Sequence, residues 1–165
     1  MRLRQFSDLW LPELMRWFPD RESCQVWGGP EFRFPFTEGG FREDTKLGSL
    51  PSWALIRDDG TLAGFGQCYL RIGRCHLGRL AVAPAFRRQG FGSTLVRELC
   101  RWGRAEFGVE SCSLFVMPSN AEARRLYVRL GFRQAPYPDP SFEVDEFVYM
   151  ITSWGTGVIT QQNQG

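Results

Sequence analysis

The residues best suited to chemistry are Arg87-Arg88-Gln89-Gly90-Phe91-Gly92, between an apolar run ending in Val82 and a helical pattern starting near Ser93. Two glycines spaced by one residue let a backbone approach a ligand closely and adopt conformations that a side chain forbids. At a helix start, free N–H groups and the positive end of the helix dipole favour an anion. Arg87, Arg88 and Gln89 add donors suited to phosphate oxygens. The stretch reads as a pyrophosphate cradle on a strand–loop–helix unit. It is not a P-loop, because no Lys-Ser or Lys-Thr follows the glycines, and its spacing is not G-x-G-x-x-G. A glycine-rich turn carrying solvated arginines is the plainer reading of the same residues.

Other reactive residue types are sparse. His76 is the only histidine, which excludes a multi-histidine metal centre. Cys24, Cys68, Cys75, Cys100 and Cys112 are odd in number and form no C-x-x-C pair, so neither a disulfide framework nor a zinc site is expected. Cys68, Cys100 and Cys112 fall in apolar-patterned segments and read as small core residues.

The elements that must position the cradle follow from periodicity. Met1 to Phe6 suits a short strand, and Ser7 or Asp8 caps a helix stopped by Pro19. Asp20 to Gly40 is irregular and aromatic, with Trp27, Phe32, Phe34 and Phe36, and reads as loop plus short helix. That segment is either hydrophobic cover for the core, one wall of a substrate pocket, or both. Trp53–Arg57 and Thr61–Leu70 form a hairpin across Asp58-Asp59-Gly60, with Gly64 and Gly66 thinning one face, and Cys75–Val82 is the next strand. After this antiparallel meander come a helix over Ser93–Phe107, a buried strand over Ser113–Met117 and a helix opened by Pro118-Ser119-Asn120 and closed by Gly131. Val144–Ile151 is expected as a last strand. The expectation is one mixed α/β domain over 1–152 and a polar tail over 153–165.

Composition bounds the function. The 165 residues can bury a good core, and 43% hydrophobic with 23% charged residues is globular composition. A net charge of +2, with arginines spread along the chain, argues against nucleic acid as a partner. No apolar run reaches membrane-spanning length and the N-terminus has no apolar signal core, so no membrane partner and a cytoplasmic location are expected.

Leu80-Ala81-Val82-Ala83-Pro84-Ala85-Phe86-Arg87-Arg88-Gln89-Gly90-Phe91-Gly92 resembles the acetyl-CoA-binding motif Q/R-x-x-G-x-G/A of the GNAT (GCN5-related) N-acetyltransferases. Asn120-Ala121-Glu122-Ala123-Arg124-Arg125-Leu126-Tyr127, with Leu130-Gly131-Phe132 after it, resembles the same family's N-x-x-A-x-x-L-Y…G-F segment. The resemblance implies a mostly antiparallel central sheet, splayed at the cofactor site and flanked by helices. It implies acetyl-CoA as cosubstrate, bound through Leu80, Ala81, Val82, Arg87, Arg88, Gln89, Gly90, Phe91, Gly92, Ser93, Thr94, Asn120, Ala123 and Arg124. Backbone groups of Leu80 and Val82 would meet the thioester and pantetheine, and the amides from Arg88 to Gly92 the pyrophosphate. Asn120 would bond the pantetheine or cap its helix. Tyr127 would protonate the departing thiolate, since a phenol with a pKa of about 10 is close enough to a thiol to donate usefully. Its plainer role is a core tyrosine on an apolar helix face.

The implied reaction is direct attack of a primary amine, from a small molecule or a protein, on the thioester, and a homodimer is common in such proteins. The general base is unassigned. His76 is one candidate, placed by strand alternation on the face of Gly78 and Leu80 unless a bulge intervenes; Glu22, Glu31, Glu38 and Asp44 are rivals as amine anchors. Arg79 breaks an apolar strand pattern, either as an exposed residue or as a group suited to a carboxylate-bearing acceptor. Competing readings are a non-catalytic CoA sensor, transfer of another acyl group, and an oxygen acceptor.

Overall fold

The computed structural model describes residues 1–142 and 146–153. The elements run β1 (Arg2–Gln5), α1 (Leu11–Arg16), α2 (Arg21–Gly28), α3 (Glu38–Thr45), β2 (Ser52–Ile56), β3 (Leu62–Arg71) and β4 (Arg74–Val82). They continue with α4 (Phe91–Phe107), β5 (Ser111–Val116), α5 (Ala121–Arg129), β6 (Arg133–Gln134) and β7 (Val148–Ser153). The aromatic segment expected as loop plus one helix supplies α2 and α3. Each is started by a side-chain cap, Asp20 accepting from the Ser23 N–H and Thr37 from the Gly40 N–H. The last strand begins at Val148; residues 144 and 145 of the expected span, and the tail from 154 onward, lie outside the described residues. β6 pairs with β7 over two positions and was too short for any periodic signal.

The strands form one sheet in the order β1-β2-β3-β4-β5-β7-β6, antiparallel throughout except for the parallel β4–β5 pair. The mixed, mostly antiparallel sheet agrees with expectation. α4 and α5 cover one face, where Leu77, Leu95, Val96, Leu99, Leu114, Leu130 and Phe132 share a core. The first three helices cover the other face, packing Leu11, Leu14, Trp17, Phe18, Phe32 and Phe41 onto Ala54, Ile56 and Phe65. All five cysteines are buried and free.

Two features of β4 set the site. Its pairing with β5 is limited to Cys75–Leu77 against Cys112–Leu114, so Gly78–Val82 has a neighbour only in β3. The register with β3 also shifts: Phe65 faces Ala81 but Gln67 faces Gly78, leaving one extra residue on β4. This is a β-bulge, and Arg79 takes the strain with φ 48°. Gly66 lies beneath it, where a Cβ would come within 2.6 Å of Leu99 and 2.9 Å of Leu80; only glycine leaves room for both leucines.

Candidate active site

The splay leaves backbone groups of β4 unpaired. The Ala83 N–H donates to the Ala63 carbonyl at 2.9 Å, and Ala81 is the register partner of Phe65. Alternation therefore turns the amides and carbonyls of Val82, and of Leu80 beside the bulge, away from β3 toward the gap. The Val82 carbonyl already accepts from Arg87 Nε at 3.3 Å.

A cavity of about 570 Å³ opens from this gap on the α4 and α5 side. Gly90 caps α4 at φ 85° without a side-chain bond, so no capping side chain occupies the first-turn N–H groups of that 17-residue helix. Arg88 is also left-handed, at φ 60°. Leu80, Ala81, Val82, Arg87, Arg88, Gly90, Gly92, Ser93, Asn120, Ala123 and Tyr127, all expected from the sequence, line this cavity. Gln89, Phe91, Thr94 and Arg124 are not among its lining residues. Gln89 bonds back to the Ala85 carbonyl, Phe91 stacks on Phe86 with ring centroids 5.3 Å apart, the Thr94 hydroxyl reaches the Gly90 carbonyl, and Arg124 leans on the Pro118 carbonyl. Arg125 and Arg129 line it as well, without having been singled out in the sequence. Their spacing of four on one helix was the available signal.

A second cavity, about 660 Å³, lies on the α2 side of the same gap. Phe18, Trp27, Tyr69, His76, Arg79, Phe115 and Met117 are among its walls, together with Asp20 and Glu22 from the start of α2. The aromatic segment thus both covers the core and borders this cavity. Trp27 stacks on Phe18 at 4.1 Å and on Phe41 at 5.7 Å, while its edge borders the cavity. Leu80, Ala81, Val82, Arg87, Asn120, Glu122 and Tyr127 line both cavities. The two spaces therefore meet along the unpaired end of β4, with the Tyr127 ring at the junction.

Burial pushes the Tyr127 phenol up to about 12, so it stays protonated near neutrality. Asn120 Oδ1 accepts from the Ala123 N–H at 3.2 Å, which fixes the cap and leaves the side-chain NH2 as its donor.

His76 is buried, its Nδ1 2.9 Å from the Ser113 hydroxyl and its ring between Tyr69 and Phe115. Desolvation, with the Arg71 charge nearby, lowers it to about 3. It is held neutral and is too weak a base to deprotonate an ammonium ion. The bulge also separates the faces: Leu80 meets Gly66 beside α4, whereas His76 opens on the α2 side, so the two do not share a face. Among the acidic rivals, Glu22 lines the cavity. Glu38 pairs with Arg42, and the Asp44 carboxylate is held by Arg33, which also keeps it below the usual range. Glu31 is exposed and outside the lining; Asp20 and Glu122 line the cavity without having been singled out.

Comparison with known proteins bears on the family and the fold. The profile of the acetyltransferase (GNAT) family matches residues 12–132. A [ribosomal protein bS18]-alanine N-acetyltransferase of Haemophilus ducreyi is 32% identical over 93 residues, which span 52% of this chain and 63% of that protein, less than two thirds of its length. The ribosomal-protein-S18-alanine N-acetyltransferase of Escherichia coli superposes with a TM-score of 0.64 at 22% identity, covering 99% of this chain and 98% of the other. The PaiA N-acetyltransferase of Thermoplasma acidophilum, in complex with coenzyme A, gives 0.67 at 21% identity over 93% and 98% of the two chains. With the family's profile spanning most of the domain and its cradle assembled at a splayed sheet, the chain belongs to the GNAT acetyltransferases, with acetyl-CoA as its cosubstrate.

Proposed function

We propose that residues 1–152 form one acetyltransferase domain, which moves the acetyl group of acetyl-CoA directly to a primary amine. The observation that carries this reading is the junction: Tyr127 and the stretch Leu80–Val82, which has no β5 partner, border both cavities. The α4-side cavity takes the cosubstrate, its diphosphate against the N–H groups that open α4 and its pantetheine along Leu80 and Val82. Arg87, Arg88, Arg125 and Arg129 supply the positive rim. The acceptor enters the α2-side cavity.

The amine nitrogen bonds to the thioester carbon, and a backbone N–H of the splayed strand steadies the oxyanion, an interaction worth about 3 kcal/mol in comparable sites. As the intermediate collapses, the C–S bond breaks and the phenol of Tyr127 gives its proton to sulfur. Pushed up to about 12 by burial, the phenol arrives protonated, and its place at the junction of the two cavities supports that role. The proton lost by the ammonium passes to a carboxylate of the cavity wall, Glu122 or Glu22, directly or through water. The surplus proton left on nitrogen after attack departs through water as the intermediate collapses. Solvent returns a proton to the phenolate, so the net reaction releases one proton.

Tyr127→Phe tests the assignment. Turnover, read as thiol release, should fall on the order of 10²-fold or more while acetyl-CoA affinity is kept. Unchanged turnover would remove Tyr127 from the chemistry, and a protein that binds CoA yet releases no thiol with any amine would favour the sensor reading. For the acceptor, relatives named as ribosomal-protein-alanine N-acetyltransferases support a protein amine. The cavity roofed by α2 and Trp27 is equally consistent with a small amine.

A further inference from the structure

Arg79 is placed at a cost that its structural contacts do not account for. The bulge holds it at φ 48° and turns its side chain from the α4 face to the α2-side cavity. There Nη1 donates to Gln67 Oε1 at 3.1 Å and Nη2 to the Asp44 carbonyl at 2.9 Å. Gln67 is itself fixed, its amide donating to the Thr45 carbonyl and the Ser52 hydroxyl at 2.8 and 2.9 Å, so the guanidinium has a set position. Yet both partners are neutral. Among the described residues no carboxylate forms an ion pair with Arg79; that of Asp44 acts on it across space but is committed to Arg33 at 2.8 Å. Burial pulls the guanidinium below its ordinary value, the direction expected of an incompletely compensated charge. Its Nε is buried with no partner, as is the indole Nε1 of Trp27, another residue of the same cavity.

We infer that the acceptor carries a carboxylate as well as its amine, and that this carboxylate binds the Arg79 guanidinium in the α2-side cavity. The inference rests on reading that cavity as the acceptor's. Arginine presents a planar set of donors matched to a carboxylate, and a half-buried cation facing a substrate space is completed by an anionic substrate. Asp20 and Glu22, on the α2 wall, face the acceptor's ammonium with the opposite charge. The arrangement suits an amine of mixed charge and disfavours a polycation, which would bring positive charge against Arg79. The shared chemistry has two sources: the carboxylate of a free amino acid, or an acidic side chain next to a protein N-terminus.

The test uses transfer products as probes, so it reads binding independently of turnover. CoA is titrated first, then the protein–CoA complex with N-acetylalanine against its amide, and with acetyl-Ala-Asp-amide against acetyl-Ala-Asn-amide. One pair should show the carboxylate binding roughly ten-fold or more tighter than its neutral twin. That preference should vanish in Arg79→Gln and return in part in Arg79→Lys, with CoA affinity unchanged in both. The discriminating pair names the source. Equal binding within both pairs, no binding of any probe, or a preference that survives Arg79→Gln would overturn the inference while leaving acetyl transfer intact. Failure of CoA itself to bind would overturn the transfer reading beneath it.

Discussion

The two cavities that meet at Tyr127 are built on different principles. The α4-side cavity is made of residues from two stretches, 80–96 and 120–129, and includes the start of α4, whose first-turn N–H groups carry no side-chain cap. The α2-side cavity collects residues from more of the chain, positions 18–29, 69–87, 115–127 and 147. In the proposed assignment the α4-side cavity takes the constant partner, and main-chain N–H groups, which only a proline substitution deletes, suit constancy. The other must choose an acceptor, and choice is made by side chains. Cosubstrate binding and acceptor choice are thus proposed to lie on either side of one strand end that lacks a β5 partner.

Perturbing the shared strand should damage both sides at once. Gly66→Val puts methyl groups into Leu99 and Leu80 beneath the bulge. Overpacking of this kind should cost about 3 kcal/mol in denaturant unfolding and weaken both CoA and acceptor binding. A variant of normal stability would show that the bulge does not depend on that glycine.

Perturbing the acceptor side alone should leave the cofactor untouched. His76 is held neutral, lowered from 6.5 to about 3 by burial. Because its folded value is depressed, the unfolded chain takes up a proton first as pH falls. The contribution is lost progressively below about pH 6.5, and amounts to about 2 kcal/mol between pH 7 and pH 5. His76→Gln should remove this part of the slope, measured by urea unfolding at the two pH values, without altering CoA affinity. An unchanged slope would mean that His76 titrates normally.

Perturbing the cofactor side should do the reverse. Gly90→Val forces a β-branched residue to φ 85° at the start of α4, and CoA affinity should fall about ten-fold. Smallest of all, Arg125→Ala and Arg129→Ala should each weaken CoA two- to five-fold, on the order of 0.5–1 kcal/mol, and the loss should shrink at high salt. Losses that ignore salt would argue against a charge contact.

The same contrast explains what could be read from sequence. The cradle was legible because Arg87–Gly92 packs its requirements, two glycines and a helix start, into six consecutive residues. α4 was legible because Leu95, Val96, Leu99 and Cys100 recur at helical spacing, and all four are buried. Arg79 was visible as a break in an apolar pattern, but the direction of its side chain depended on a register shift between β3 and β4, which has no local signature. His76 and Leu80 were expected on one face for the same reason, and the extra residue at the bulge inverted the relation. α2 and α3 were blurred because aromatic residues, prolines and glycines mask their periodicity, although the Asp20 and Thr37 caps were present.

The most direct test of the two-cavity account is an amide NMR titration of the isotope-labelled protein with CoA. The N–H signals of Leu80, Val82, Phe91, Gly92 and Ser93 should shift first and furthest, while those of Asp20 to Gly29 stay nearly still. Shifts concentrated on α2, with the start of α4 unmoved, would contradict the account, because they would put the cofactor in the space assigned to the acceptor.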